Sequence, residues 1–153
     1  MNNKKLKAFT LAEMIVVLIV ASIVIAMGFV ILDLVRKQVF LIQRNYQKKQ
    51  EVQFFEVTLT RDFKTRNAYY YKSQNRLSLK NTKDSISYVF TDTTIIREKD
   101  TFQIEVSNKM LFLDGKETFS KTIDALGIKL SENYGGKELF ISQRKDAAFY
   151  IND

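Results

Sequence analysis

The sequence predicts an α+β protein, with one long N-terminal helix packed on an antiparallel β-sheet head. Three observations carry that prediction. Met14 to Leu32 contains no charged residue, and at about 1.5 Å rise per residue it makes roughly 28 Å of helix, near the hydrocarbon thickness of a bilayer. From Asp33 to Arg66 there is neither Gly nor Pro, and apolar residues recur at helical spacing. After Tyr69 the apolar period falls to two, which is the spacing of half-buried strands.

The elements follow in order. Lys4, Lys5 and Lys7 precede the apolar run; basic residues before a span hold that end in the cytoplasm, so the remainder is exported. Beyond Leu32 the pattern turns amphipathic. Val35, Val39, Ile42, Tyr46, Phe55, Leu59 and Phe63 are expected to share one core-facing stripe, with Arg36, Lys37, Arg44, Lys48, Lys49, Glu56 and Lys64 on the other face. The result is a single helix from near Phe9 to near Thr65, half membrane segment and half amphipathic. Gln47 to Gln53 is polar and is expected to be a looser stretch of it.

The strands are expected at Leu77–Leu79, around Ile86, Tyr88 and Phe90, and from Thr93 to Glu98. Further strands fall along Phe102, Ile104 and Val106, at Met110–Leu113, from Lys116 to Ile123, and around Ile128 and Leu130. Asp114-Gly115 signals a hairpin turn and Tyr134-Gly-Gly136 a loop. Glu138–Ser142 and Ala148–Ile151 close the head.

The segment Lys7-Ala8-Phe9-Thr10-Leu11-Ala12-Glu13 followed by the apolar helix resembles the class III signal of type IV pilins and type II secretion pseudopilins. The resemblance implies cleavage of a basic leader between Ala8 and Phe9 by a prepilin peptidase, then N-methylation of Phe9. Glu13 is the fifth residue counted from Phe9, where that family commonly carries Glu. Ala8 stands where the family usually has Gly, and Ala12 where it usually has a bulky aliphatic. The Pro kink and C-terminal disulfide of many major pilins have no counterpart here, since the chain has no Pro and no Cys. The strings Phe55-x3-Leu59-x2-Asp62-Phe63, Ser87-Tyr88-Val89-Phe90 and Ile95-Ile96-Arg97 are similar to J-type minor pseudopilins and to minor pilins of competence systems. That likeness implies a low-copy subunit.

Composition narrows the chemistry. With 153 residues there is room for one anchor and one small domain. His and Cys are both absent, which removes Ser-His and Cys-His catalysis and most zinc sites. No catalytic residue, cofactor or metal site is expected. Asp84, Asp92, Asp100 and Asp114 fall in expected turns, where Asp favours the geometry, and no Asp-x-Asp cluster suggests calcium. The net charge of +7 is spread along the chain, so it does not identify a nucleic-acid binder. Tyr69-Tyr70-Tyr71-Lys72, with Arg61, Lys64, Arg66 and Arg76 nearby, is the one patch that could stack bases or hold a glycan. The competing reading, which we favour, is a strand whose rings pack alternately on the core and on a neighbouring subunit. Gly28 either loosens the helix or makes a close-packing contact in the membrane.

Glu13 is the unusual group, because an acid at the mouth of a membrane helix is costly without a partner. In a filament core it could neutralise the Phe9 amine of the next subunit and so set axial register. The plainer role is at headgroup depth, paired with Lys7 or water. The sequence thus predicts a leader at 1–8, a transmembrane and filament-core helix at 9–32, an amphipathic continuation at 33–66 and a β-rich head at 67–153. The expected function is a structural subunit, minor rather than major, in the inner membrane with its head outside the cytoplasm. Its expected partners are a prepilin peptidase, other pilin or pseudopilin subunits and an inner-membrane assembly platform. An uncleaved, anchored binding module is the alternative. Ordinary signal-peptide cleavage at Ala26-Met27-Gly28 would leave an apolar Phe29–Leu32 end on a soluble domain, and a lipoprotein is excluded by the missing Cys.

Overall fold

The computed structural model describes residues 10–143, so the expected Ala148–Ile151 strand lies outside the described residues. The first element is the helix α1, Leu11–Lys64. It is unbroken through Gln47 to Gln53, which corrects the expectation of a loose segment there. That stretch is anchored: the Lys48 ammonium donates to the Asn133 carbonyl at 3.2 Å and sits 5.0 Å from the centre of the Tyr134 ring. Glu51 accepts the backbone N–H of Gln103.

Ten strands follow: β1 Asn67–Tyr71, β2 Arg76–Lys80, β3 Ser85–Phe90, β4 Ile95–Arg97, β5 Asp100–Phe102, β6 Val106–Leu113, β7 Lys116–Glu117, β8 Thr122–Ile123, β9 Ala125–Leu130 and β10 Glu138–Ser142. They form two antiparallel sheets. One has six strands in the order β5-β4-β3-β2-β1-β8 and the other has four in the order β10-β9-β6-β7. The chain leaves the first sheet after β5, returns for β8, and finishes in the second.

Two expected strands are divided by that crossing. Phe102, Ile104 and Val106 were expected on one strand, but β5 and β6 belong to different sheets and Ile104 lies between them, fully buried. Alternation persists there because each apolar side chain still meets the core, while the backbone changes partner. Lys116 to Ile123 likewise splits into β7 and β8; the linking Thr118–Lys121 is polar apart from Phe119, which is 80% exposed. The Asp114-Gly115 turn is present, with φ of 52° and 73°, the paired left-handed conformation of a type I′ hairpin.

The chain divides into two compact units between Asn45 and Tyr46. In the second unit, Val52, Phe55, Leu59 and Phe63 of α1 join one hydrophobic cluster with Leu77, Leu79, Tyr88, Ile95, Leu126 and Ile128 from both sheets. Phe55 packs edge-on against Phe102 at 5.3 Å and Tyr88 at 6.4 Å between ring centres. The expected single stripe needs correction. Val35, Val39, Ile42 and Tyr46 are 47% to 68% exposed. The step from Tyr46 to Phe55 is nine residues, and at about 100° per residue that is two and a half turns. Phase is nevertheless not what decides burial: residues 10–47 are exposed on every face of the helix, and the first residue of α1 in the core is Val52.

Candidate functional site

Ala8 and Phe9, the expected cleavage and methylation positions, lie outside the described residues. Glu13 stands in the first turn of α1 and is bound locally. Its Oε2 accepts the Thr10 N–H at 2.8 Å and the Thr10 hydroxyl at 2.9 Å, while its own N–H donates to Thr10 Oγ1 at 3.3 Å. This is a reciprocal capping box, in which Thr10 and Glu13 satisfy backbone donors that the first turn leaves open. Thr-x-x-Glu was present in the sequence, but its cap was hidden behind the larger question of an acid at a membrane helix. Past Glu13, the large apolar side chains from Met14 to Leu32 are about half exposed or more. Ser22 satisfies its hydroxyl by donating to Leu18 O at 2.7 Å. Asp33 and Lys37 form an ion pair at 2.8 Å just after the apolar run. This is the one helix among the described residues long and apolar enough to cross a membrane.

A second constellation lies where α1 meets the six-stranded sheet. Asp62, in the last turn of the helix, is 2% exposed. Its Oδ2 accepts the Tyr88 hydroxyl at 2.7 Å and Arg97 Nε at 2.8 Å, and Arg97 Nε also reaches the Tyr88 oxygen at 3.1 Å. Tyr88 and Arg97 are register partners on β3 and β4, so the sheet itself delivers both donors to one point. Arg66 approaches Asp62 at 3.6 Å and is held by Asp84 through two bonds of 2.9 and 2.8 Å. Burial raises the Asp62 carboxyl, but the hydrogen bonds from Arg97 and Tyr88 and the charges of Arg97 and Arg61 outweigh it and hold it below the usual carboxylate range. The same burial and the Asp62 charge push the Tyr88 phenol upward. The arrangement is a latch between helix and sheet. Asp62, Tyr88 and Arg97 were each quoted in the sequence reading, but their contact was missed. The available clue was an acid beside the buried Leu59 and Phe63, since a buried acid needs cationic or hydrogen-bonding partners.

The tyrosine patch resolves into two roles. Tyr70 is 5% exposed and sits in the core, its hydroxyl donating to Asn75 Oδ1 at 3.2 Å; burial pushes its phenol up to about 12. Tyr69 and Tyr71 point the other way, as alternation along β1 requires. They line an open groove of 670 Å³ together with Lys64, Arg66, Lys80 and Lys121, and no carboxylate is among its lining residues. The Lys121 ammonium lies 4.6 Å from the Tyr71 ring centre and 6.0 Å from that of Tyr69, and Arg76 lies 4.9 Å from the Tyr71 ring centre. A hydrogen bond with Lys121, aided by the charges of Lys121, Lys80 and Arg76, holds the Tyr71 phenol below its ordinary range. Lys80 and Lys121 were missing from the expected patch because they arrive from β2 and from the residue before β8. Arg61, Lys72 and Arg76 were expected there and are not among the lining residues.

Of the turn aspartates, Asp84 is bound to Arg66, and Asp100 pairs with Arg97 at 3.4 Å. No group of three or more acidic side chains that could hold a metal occurs among the described residues.

Residues 3–29 match the family model described as the prokaryotic N-terminal methylation motif. The match spans Ala8, Phe9 and Glu13 and most of the apolar run. No curated protein and no solved structure matches the chain.

Proposed function

We propose that this protein is a prepilin-like, minor structural subunit of a type IV filament system. The observation that carries the reading is the methylation motif at residues 3–29 running directly into a charge-free helix of membrane length. A helix followed by antiparallel sheets is the architecture such a subunit needs, because the apolar helix can serve first as anchor and then as filament core. In this reading prepilin peptidase hydrolyses the Ala8–Phe9 amide, leaving a carboxylate on Ala8 and an ammonium on Phe9. After losing a proton, that nitrogen attacks an electrophilic methyl donor, and the N–methyl bond forms as the donor's own bond to the methyl group breaks. Subunits held in the inner membrane, heads outside the cytoplasm, are drawn from it by an assembly platform. Glu13 of one chain neutralises the Phe9 amine of the next in the low-dielectric core. The protein is then the substrate of an enzyme and contributes packing rather than catalysis.

The test is the intact mass and N-terminal sequence of the protein from its native membrane. A chain beginning at N-methyl-Phe9 supports the reading. A chain still beginning at Met1, in cells with an active prepilin peptidase, overturns it in favour of an uncleaved anchored module.

A further inference from the structure

The groove beside β1 offers a second site, apart from the N-terminal helix. Its 670 Å³ falls in the range of about 300–1,000 Å³ typical of small-ligand sites. Its lining is cationic, yet few of the cations are free. Arg66 is committed to Asp84, and Lys121 sits against the two tyrosine rings. Lys64 and Lys80 have no ion pair among the described residues. Neutral hydrogen-bonding groups are interleaved with them. Asn81 uses its Oδ1 on the backbone N–H groups of Lys83 and Asp84, both at 2.8 Å, and its amide also bonds the Asp84 carboxylate, so the side chain is held in place at the groove's edge. Asn67 and Thr82 also line the groove.

We propose that this groove binds an acidic polysaccharide, a sugar chain with spaced carboxylates. Sparse free cations suit sparse carboxylates, and the amide and hydroxyl side chains between them suit sugar hydroxyls. Nucleic acid fits less well on both of its usual routes. Single strands gain affinity by stacking bases on open aromatic faces, whereas Arg76 and Lys121 both sit over Tyr71. Backbone-only binding draws its affinity from the number of phosphates neutralised, and the groove has four cations, one of them tied to Asp84. That the protein meets such a polymer rests on the proposed placement of the head outside the cytoplasm; the chemistry of the groove does not.

The test uses the full chain in detergent micelles and a fluorescently labelled oligogalacturonate, read by anisotropy. Saturable binding is expected, with no binding of a neutral dextran of equal length. Lys64→Gln combined with Lys80→Gln should weaken it about tenfold or more, as expected when charge-assisted hydrogen bonds are removed. Thr82→Ala, on the exposed rim, should weaken it several-fold with the thermal midpoint unchanged. Failure of oligogalacturonate to bind, indifference to the double lysine variant, or tighter binding of an oligothymidylate of equal charge would each overturn the assignment. None of these results bears on cleavage at Ala8, which N-terminal sequencing reads separately.

Discussion

Removing the Asp62 carboxylate should be among the most damaging single changes in the head. The side chain is 4% exposed and is within 4 Å of Arg61, Arg66 and Arg97. Asp62→Ala leaves the Tyr88 hydroxyl, on a fully buried residue, and the Arg97 guanidinium without their shared acceptor. Breaking a buried ion pair costs about 3–5 kcal/mol. Arg97 is 18% exposed and keeps Asp100 at 3.4 Å, which argues for the low end, about 3 kcal/mol. For a domain of this size each kcal/mol shifts the midpoint by about 4–8 °C, so a fall of roughly 12–24 °C is expected. The assay is thermal unfolding of the full chain in micelles, followed by the near-ultraviolet signal of the tyrosines, because the span's helix would mask a far-ultraviolet reading.

A double-mutant cycle with Arg97→Ala isolates the pair. Groups in one buried network couple by about 0.5–3 kcal/mol, and this pair should lie above 1 kcal/mol. Additivity of the two single losses would refute the latch. The pH dependence has a fixed sign. The folded carboxyl is held below its unfolded value, so its contribution is fully present above about pH 4 and is lost as pH falls through the folded value. The gap between the parent and Asp62→Asn should therefore narrow on acidification below pH 4.

Three further outcomes are expected. Phe55→Ala should cost about 3–5 kcal/mol, the range for emptying a buried aromatic site, whereas Val39→Ala should move the same midpoint by less than about 0.5 kcal/mol; equal losses would return both residues to one stripe. Gly115→Val puts a β-branched side chain at φ of 73° and should cost about 1–2 kcal/mol, measured by the same melt. Glu13→Gln should be processed at Ala8 yet fail to enter filaments, as should Glu13→Ala, scored by cell fractionation and immunoblotting of sheared filaments. Incorporation of the Gln variant at parental levels would mean that the charge is dispensable.

The architecture was legible because two apolar periods follow one another without interruption, and because Asp114-Gly115 permits few conformations. What stayed hidden depends on partners distant in sequence. Alternation through Phe102, Ile104 and Val106 reports burial correctly, but burial is served by either sheet, so the crossing leaves no trace. The helix stripe was misread for a related reason: spacing shows that a face is apolar but not where along the helix the core begins, and only residues from Val52 onward are buried. The groove was half visible. Three consecutive tyrosines announced a site, yet alternation had already committed Tyr70 to the core, and Lys121 comes from a separate segment of the chain.

In the proposed filament, Glu13 would join a local role to an assembled one. Both Thr10 bonds fall on Oε2, and Oε1 takes no hydrogen bond among the described residues. The capping box is therefore not a competitor for a neighbouring amine. It fixes the carboxylate at the start of the helix with one oxygen open, which lowers the entropy lost when a cation is captured. Glutamine can also complete a capping box, so Glu13→Gln preserves the cap and removes only the charge. If helix capping were the whole role, that variant would behave as the parent and only Glu13→Ala would fail. If the charge pair sets axial register, both variants fail together, with the span still inserted and the leader still cut.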